Sequence, residues 1–281
     1  MLIRTMLPTD LDTAAELARS VGWISQDRKV FEIFLEHERS FCFVAEEDNS
    51  VIAAIVATLY GKSGFLGELI VREVRRGHGL GRELLTHVTH HLRALGAESI
   101  YLDGAAKAVP LYERNGFVRI CPSLRFDGTL PAAPHPSISP ISESDLPEIY
   151  RLDLAACGAD RSYFLRRRWE PAPELCLAYR QNRHITGYLF SRRHPDGIAV
   201  GPWVVAPTVT DPLQMLSALS FHSENAILHL GVLETNALVV KLLRDAGFVE
   251  RDEVAWRMVC GKTGNLGQNL VCFAVGAAAK G

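Results

Sequence analysis

The chain has 281 residues, a formal net charge of −2, 48% hydrophobic residues and 22% charged residues. This is ordinary globular composition and excludes a disordered tail, a collagen-like fibre and a disulfide knot. The balanced charge offers no overall electrostatic case for nucleic acid or an anionic membrane. In chain order, residues 10–21 read as a helix with Thr9 at its N-cap, and residues 29–38 as a second amphipathic helix. Residues 41–45 and 51–59 read as strands around the turn Glu47-Asp48-Asn49-Ser50, and residues 65–71 as a third strand. Residues 79–95 form a helix stopped by Gly96. Residues 99–103 are a strand, residues 109–115 a short helix ended by Gly116, and residues 117–121 a further strand. This order implies an α/β (α+β) protein with a mixed sheet and helices on its faces.

The chain contains itself twice. Ile3-x-x-Met6-x-x-x-Asp10-Leu11 recurs as Ile138-x-x-Ile141-x-x-x-Asp145-Leu146, an offset of 135. Phe41-Cys42-Phe43-Val44-Ala45 recurs as Leu175-Cys176-Leu177-Ala178-Tyr179, an offset of 134. Leu111-Tyr112-Glu113-Arg114-Asn115-Gly116-Phe117-Val118 recurs as Leu242-Leu243-Arg244-Asp245-Ala246-Gly247-Phe248-Val249, an offset of 131. Three matches in one order at nearly one offset point to a tandem duplication. The proline-rich stretch 128–136 is the expected seam, giving domains 1–130 and 138–281. The six cysteines lie too far apart for a CxxC-type metal knuckle or redox pair. The N-terminus does not read as a signal peptide, and no run of about 18 apolar residues occurs. A reduced, cytoplasmic protein without a membrane or nucleic-acid partner is expected.

The sharpest local feature is Val71-Arg72-Glu73-Val74-Arg75-Arg76-Gly77-His78-Gly79-Leu80-Gly81-Arg82. A strand runs into a turn with three glycines at alternate positions, and a helix follows. Such glycines let a bulky group approach the backbone. The free N–H groups of the helix start then face an anion, with phosphate the natural ligand. No Gly-Lys-Ser/Thr closes a P-loop, and G-x-G-x-G is not the dinucleotide fingerprint. A glycine-rich turn that only tightens the connection would look similar.

Arg76-Gly77-His78-Gly79-Leu80-Gly81 resembles the R/Q-x-x-G-x-G/A signature of the GNAT (Gcn5-related) N-acetyltransferases. Leu111-Tyr112-Glu113-Arg114-Asn115-Gly116-Phe117 resembles that family's later L-Y-x-x-x-G-F motif. Gly22-Trp23, Leu102-Asp103-Gly104-Ala105 and Arg257-Met258-Val259-Cys260-Gly261 extend the likeness to a bacterial subgroup with two GNAT-like halves. The resemblance implies two tandem domains, each a mixed, mostly antiparallel twisted sheet flanked by helices. It further implies transfer of acetyl from acetyl-CoA to a primary amine of a small molecule or peptide, by direct attack in a ternary complex.

On the same resemblance, Leu69, Ile70 and Val71 would splay from the next strand and pair with the pantetheine arm. Arg76, Gly77, His78, Gly79, Leu80, Gly81 and Arg82 would hold the pyrophosphate. Tyr112 matches the family's general acid for the leaving thiolate. Glu68 or Asp103 would act as base, directly or through water, or as counter-charge for the amine. The N–H of Ile70 or Val71 could polarise the thioester carbonyl. Trp23 would line the acceptor pocket, with loops such as Lys62-Ser63-Gly64 contributing. One departure is Ala105, where many relatives carry Asn against the cofactor arm. No metal is implied. His87, His90 and His91 share a helix without an acidic partner and read as a solvated face. Arg166-Arg167-Arg168 likewise reads as a wet helix face.

The second half loses this site. At offset 134, Thr210-Asp211-Pro212-Leu213-Gln214-Met215 replaces the glycine loop and Pro202 replaces Glu68, while Leu243 stands where Tyr112 does. The half therefore reads as structural, or as completing the acceptor site, with Asn236 the one residual match to a cofactor-arm asparagine. A non-catalytic acyl-CoA sensor and a transferase of longer acyl groups are the alternatives. The acceptor and the oligomeric state, a homodimer included, carry no recognisable code.

Overall fold

Local chemistry sets the first elements of the computed structural model, which describes residues 1–252, 254–264 and 266–276. β1 (Leu2–Thr5) leads through a 3-10 turn, Pro8–Asp10, into α1 (Leu11–Ser20). Thr9 does not cap this helix. Asp10 is buried at its start, accepting from Leu7 N–H at 2.7 Å and from both arms of the Arg4 guanidinium at 2.6 and 3.0 Å. The bond from Arg4 holds its carboxyl below the usual carboxylate range. α2 (Arg28–Glu36) is capped by Asp27, which accepts from Val30 N–H. β2 (Ser40–Glu47) and β3 (Ser50–Tyr60) are longer than expected and close on Asp48-Asn49 alone, both at positive φ. β4 (Ser63–Val71), α3 (Leu80–Ala94), β5 (Ser99–Ala105), α4 (Val109–Glu113) and β6 (Val118–Gly128) follow.

The rest of the chain repeats that order. It comprises β7 (Ile138–Pro140), α5 (Leu146–Cys157), α6 (Ser162–Trp169), β8 (Leu177–Gln181), β9 (His184–His194) and β10 (Gly197–Val205). Then come α7 (Leu213–His222), β11 (Leu228–Leu233), α8 (Ala237–Asp245), β12 (Val249–Glu250), β13 (Ala255–Gly261) and β14 (Cys272–Ala274).

The chain packs as two compact units, Met1–Ile120 with Arg257–Gly264, and Cys121–Trp256 with the described residues of Asn265–Ala277. The boundaries expected at 1–130 and 138–281 follow the chain, whereas the units trade segments. In the first unit the sheet order is β1-β2-β3-β4-β5-β13. β1 to β4 pair antiparallel, and β4 pairs with β5 in parallel. β3 is buried from Val51 to Tyr60 because α1 and α3 both pack against it. Their apolar stripes, including Leu11, Leu17, Leu84, Val88 and Leu92, are buried. β13 arrives from the far end of the sequence and is tied down there. Ser99 Oγ donates to Lys262 C=O at 2.6 Å, and the Arg93 guanidinium to Cys260 C=O at 2.8 Å.

In the second unit the order is β6-β11-β10-β9-β8-β7, with β12 beside β6 and β14 beside β10. Only β10 and β11 pair in parallel there among the described pairs. Trp203, Met215, Leu219, Leu230 and Leu243 fill its core. Asp153, buried on α5, accepts from Arg161 at 2.6 and 3.0 Å and from the Tyr188 hydroxyl at 2.5 Å. All six cysteines are free thiols. No described helix is long and apolar enough to cross a membrane.

Candidate active site

β4 pairs with β5 only from Ser63↔Ser99 to Leu66↔Leu102. Past that point β4 keeps its pairing with β3, while residues 103–105 carry β5 onward, so the two parallel strands part. A bulge marks the place. Glu68 and Leu69 together oppose the single residue Ile55, and Glu68 takes φ of 52°, in the left-handed region that a side chain rarely occupies. The backbone edge of residues 67–71 that faces β5 is thereby opened, as a strand-like guest requires.

The glycine loop begins where β4 ends. A 3-10 turn, Glu73–Arg75, reverses the chain, and Arg76 Nε donates back to Val71 C=O at 3.1 Å. Gly77 and Gly79 hold φ of 81° and 84°, which side chains resist, and a Cβ on either would meet nothing within 4 Å. His78 Nδ1 donates to Arg76 C=O at 2.9 Å, bracing the turn. The first main-chain bond of α3 is Glu83 N–H to Gly79 C=O at 3.1 Å, so the N–H groups of Leu80, Gly81 and Arg82 precede the ladder. The loop is exposed, as are the Arg76 and Arg82 side chains. An open glycine turn with unladdered N–H groups at a helix start, beside a parted strand pair, fits a pyrophosphate with an extended arm.

Tyr112 lies against the open part of β5. A Cβ at Gly104 would come within 2.6 Å of its Cε2, so glycine there leaves the space that the ring occupies. Phe117 meets the ring edge-on at 5.9 Å. Burial pushes the phenol up to about 12, which keeps its proton in place at neutral pH. No described residue hydrogen-bonds its hydroxyl. Of the two acids, Glu68 is buried at the bulge. Asp103 is committed elsewhere. Its carboxylate accepts from Arg257 Nε at 2.5 Å and from the guanidinium terminus at 3.2 Å, with both side chains fully buried. Arg257 also lies over the Phe65 ring at 5.1 Å. A carboxylate held this way has its oxygens committed to the guanidinium rather than turned to the parted strands.

Trp23 follows α1 in a surface turn, 38% exposed beside Ile24 at 54%. Lys62-Ser63-Gly64 starts β4, about 25 Å from the parted end at 3.3 Å per residue, and Lys62 pairs with Glu98 at 2.6 Å. It therefore stands at the wrong end of the strand for an acceptor loop. The histidines are not uniformly solvated either. His87 and His90 are exposed while His91 is half-buried, and His87 and His91 meet Phe43 edge-on at 4.6 and 5.3 Å. Arg166 and Arg167 pair outward with Glu170, but Arg168 turns inward and donates to Gly276 C=O at 2.7 Å. Burial lowers it to about 9. Gly104 and Arg257 enter the sequence only as parts of the subgroup likeness, with no role at the site, although a charged residue inside the apolar strand Ala255-Trp256-Arg257-Met258-Val259 signals a buried partner.

The second unit shows the same parting, already filled. β10 pairs with β11 only from Ile198↔Leu228 to Val200↔Leu230, and Val200 aligns with Leu66 at offset 134. Beyond it β14 takes the slot, pairing Trp203↔Ala274 and Val204↔Cys272. Val205 N–H donates to Val271 C=O and Val275 N–H to Gly231 C=O, both at 2.9 Å. Trp203 and Val204 align with Leu69 and Ile70, the residues expected to pair with a cofactor arm. Asn236, the residual cofactor match, donates its amide to Leu270 and Cys272 C=O at 2.9 and 3.0 Å and so clasps the same inserted segment. At the start of α7, Asp211 already accepts from Leu213 N–H at 3.2 Å.

Comparison with known proteins agrees with this geometry. A model described as the acetyltransferase (GNAT) family matches residues 10–117, and one described as an acetyltransferase (GNAT) domain matches residues 149–271. An uncharacterized N-acetyltransferase of Bacillus subtilis, YitH, is 25% identical over 209 residues, which are 73% of this chain and 72% of that protein. A Pyrococcus horikoshii structure assigned to the acetyltransferases has a TM-score of 0.82 at 18% identity, covering 100% of this chain and 95% of that one. A tandem GNAT protein from the clavulanic acid biosynthesis pathway has a TM-score of 0.65 at 15% identity, covering 94% of this chain and 99% of that one. The chain belongs to the GNAT acetyltransferase family, with two GNAT domains in tandem. By class it is an acyl-CoA-dependent N-acetyltransferase.

Proposed function

We propose that the first unit moves acetyl from acetyl-CoA to a primary amine of a small molecule or peptide, in a ternary complex, and that the second is a structural partner. The observation that carries this reading is the parted β4–β5 pair ending in an open glycine loop. The loop N–H groups of residues 77–82, with Arg76 and Arg82 at its rim, would take the pyrophosphate, and the edge of residues 69–71 the pantetheine amides. When bound, acetyl-CoA supplies an activated acyl group on sulfur. Tyr112 keeps its proton because it is buried, and it would protonate the departing sulfur. Glu68 is the favoured residue to receive the proton of the attacking ammonium, directly or through water, because Asp103 is tied to Arg257. Trp23 and Ile24 offer an exposed apolar edge for an acceptor.

The experiment is a thermal-shift series with acetyl-CoA, CoA, succinyl-CoA and myristoyl-CoA, followed by thiol release against small amines, amino acids, antibiotics and peptides. A shift with acetyl-CoA and release with one amine class is the expected result. No shift with acetyl-CoA or CoA refutes the reading. Tight binding without release from any amine favours an acyl-CoA sensor instead.

A further inference from the structure

Three side chains that acyl transfer does not use meet at the β9–β10 hairpin of the second unit. His194 and Gly197 pair across it, leaving Pro195-Asp196 as a two-residue turn. β11 lies along β10 in parallel, with His229 beside Ala199. As a result one ring nitrogen of His194, one of His229 and an Asp196 carboxylate oxygen all lie within 4.8 Å of one another. His229 Nε2 is 3.1 Å from Asp196 Oδ1, yet it is buried and makes no hydrogen bond. His194 Nδ1 contacts the same oxygen.

The surroundings prepare these donors. Asp127 Oδ1 lies 2.7 Å from His229 Nδ1, and Arg251 grips Asp127 with a fork at 2.6 and 2.8 Å. Arg251 also approaches that nitrogen, at 3.0 Å. The shorter contact is to the carboxylate, which can only accept, so Nδ1 is the nitrogen that donates to Asp127 and Nε2 is the nitrogen turned toward Asp196. A carboxylate behind an imidazole in this way orients metal-binding histidines. Gly197 leaves room in front of the ring, since a Cβ there would lie 2.9 Å from His229 Nε2. The two histidine side chains are 15% and 12% exposed and Asp196 is 61% exposed, so the cluster is walled on one side and open to solvent on the other.

We propose that His194, Asp196 and His229 bind one divalent transition-metal ion, with Zn2+ as the probe. Two imidazoles and a carboxylate form a borderline-soft donor set that suits Zn2+ rather than Mg2+ or Ca2+. Ligand bonds of about 2.0–2.1 Å place two ligands of a tetrahedral ion about 3.3 Å apart, close to the His229–Asp196 separation. The closer His194–Asp196 contact opens by a side-chain rotation at the exposed turn, and water completes the coordination.

The test uses the full chain, stripped with EDTA and exchanged into metal-free buffer. Titration with Zn2+ should show one saturable site and raise the melting temperature, and Co2+ should give visible absorption bands of a low-coordinate nitrogen–oxygen site. Asp196→Asn and His194→Gln, at the exposed turn, should weaken binding at least tenfold while the metal-free melting temperature stays near that of the parent. Asp127→Asn should weaken it about 10–100-fold by loosening His229. A double change of His87→Gln and His91→Gln, the other closely spaced imidazole pair, should leave the stoichiometry at one. The proposal fails if Zn2+ does not saturate a site, if Asp196→Asn and His194→Gln bind normally, or if binding disappears only in the His87/His91 variant.

Discussion

One methyl group added at Gly104 should injure acetyl transfer far more than acetyl-CoA binding. The added carbon would stand 2.6 Å and 2.9 Å from Cε2 and Cδ2 of Tyr112 and 3.1 Å from Leu102. Ordinary carbon contacts are about 3.5–4.0 Å, so the ring must withdraw by about 1 Å. Phe117 and the buried Val109 of α4 stand around the ring, and overpacking of this kind costs about 1–3 kcal/mol. A reacting group displaced by about 1 Å costs roughly 100-fold in rate, or about 2.7 kcal/mol, within the same range. Gly104→Ala should therefore lower kcat about 100-fold in a thiol-release assay, with the Kd for acetyl-CoA from calorimetry changed less than about threefold. Tyr112→Phe should lose about 100–10,000-fold as expected for a general acid. The double variant should be no worse than Tyr112→Phe alone, because both act through one hydroxyl. An unchanged kcat in Gly104→Ala, or losses that multiply in the double variant, would refute the assignment of Tyr112.

Further expectations follow from other parts of the molecule. Arg257→Met leaves Asp103 buried without its guanidinium and should cost about 3–5 kcal/mol in urea unfolding. Adding Asp103→Leu should recover much of that loss, whereas Asp103 acting as the catalytic base would leave the double variant stable but inactive. Gly79→Glu places a carboxylate in the loop at a left-handed φ, and the acetyl-CoA thermal shift should vanish while the fold survives. Burial, helped by His87, lowers the affinity of His91 for a proton below the ordinary value near 6.5. The unfolded chain then takes up that proton first, so stability should fall as pH drops through about 6.5. His91→Gln should flatten the melting-temperature slope between about pH 7 and pH 5.

Local features read well from sequence because their causes are local. Asp48-Asn49 can turn tightly, Gly96 and Gly116 can take positive φ, and G-x-G-x-G leaves a helix start bare, each within a few residues of chain. The cap of α1 was misplaced by one residue because the deciding partner, Arg4, sits on β1, so that Asp10 rather than Thr9 opens the helix. The partnership of Asp103 with Arg257 spans 154 positions, and hydrophobic periodicity carries no record of it. The insertion of β14 beside β10 was equally hidden, since Cys272-Phe273-Ala274 is too short to announce a strand or name its neighbour. The offset of 134 aligned the two loops correctly, but it could say only that phosphate would be unwelcome in the second, not that a strand already fills the adjacent slot. The His194–Asp196–His229 cluster stayed invisible for a related reason. Its ligands come from a hairpin tip and a later parallel strand, with no spacing that a motif could encode.

The filled slot in the second unit has a thermodynamic consequence. A parted pair of parallel strands leaves main-chain groups that must find partners. One copy satisfies them with hydrogen bonds to residues 271–275 of its own chain, while on the proposed function the other receives a guest from solution. On that proposal ligand concentration should enter the stability of the first half, adding about 2.7 kcal/mol at a hundredfold excess over Kd, while the second half carries its inserted strand at every concentration. Without acyl-CoA the first unit should exchange its β4 and β5 amides sooner than the second exchanges those of β10, and a saturating donor should close that difference. The inserted strand makes the second of two like folds an internal reference against which the proposed loading of the first can be measured.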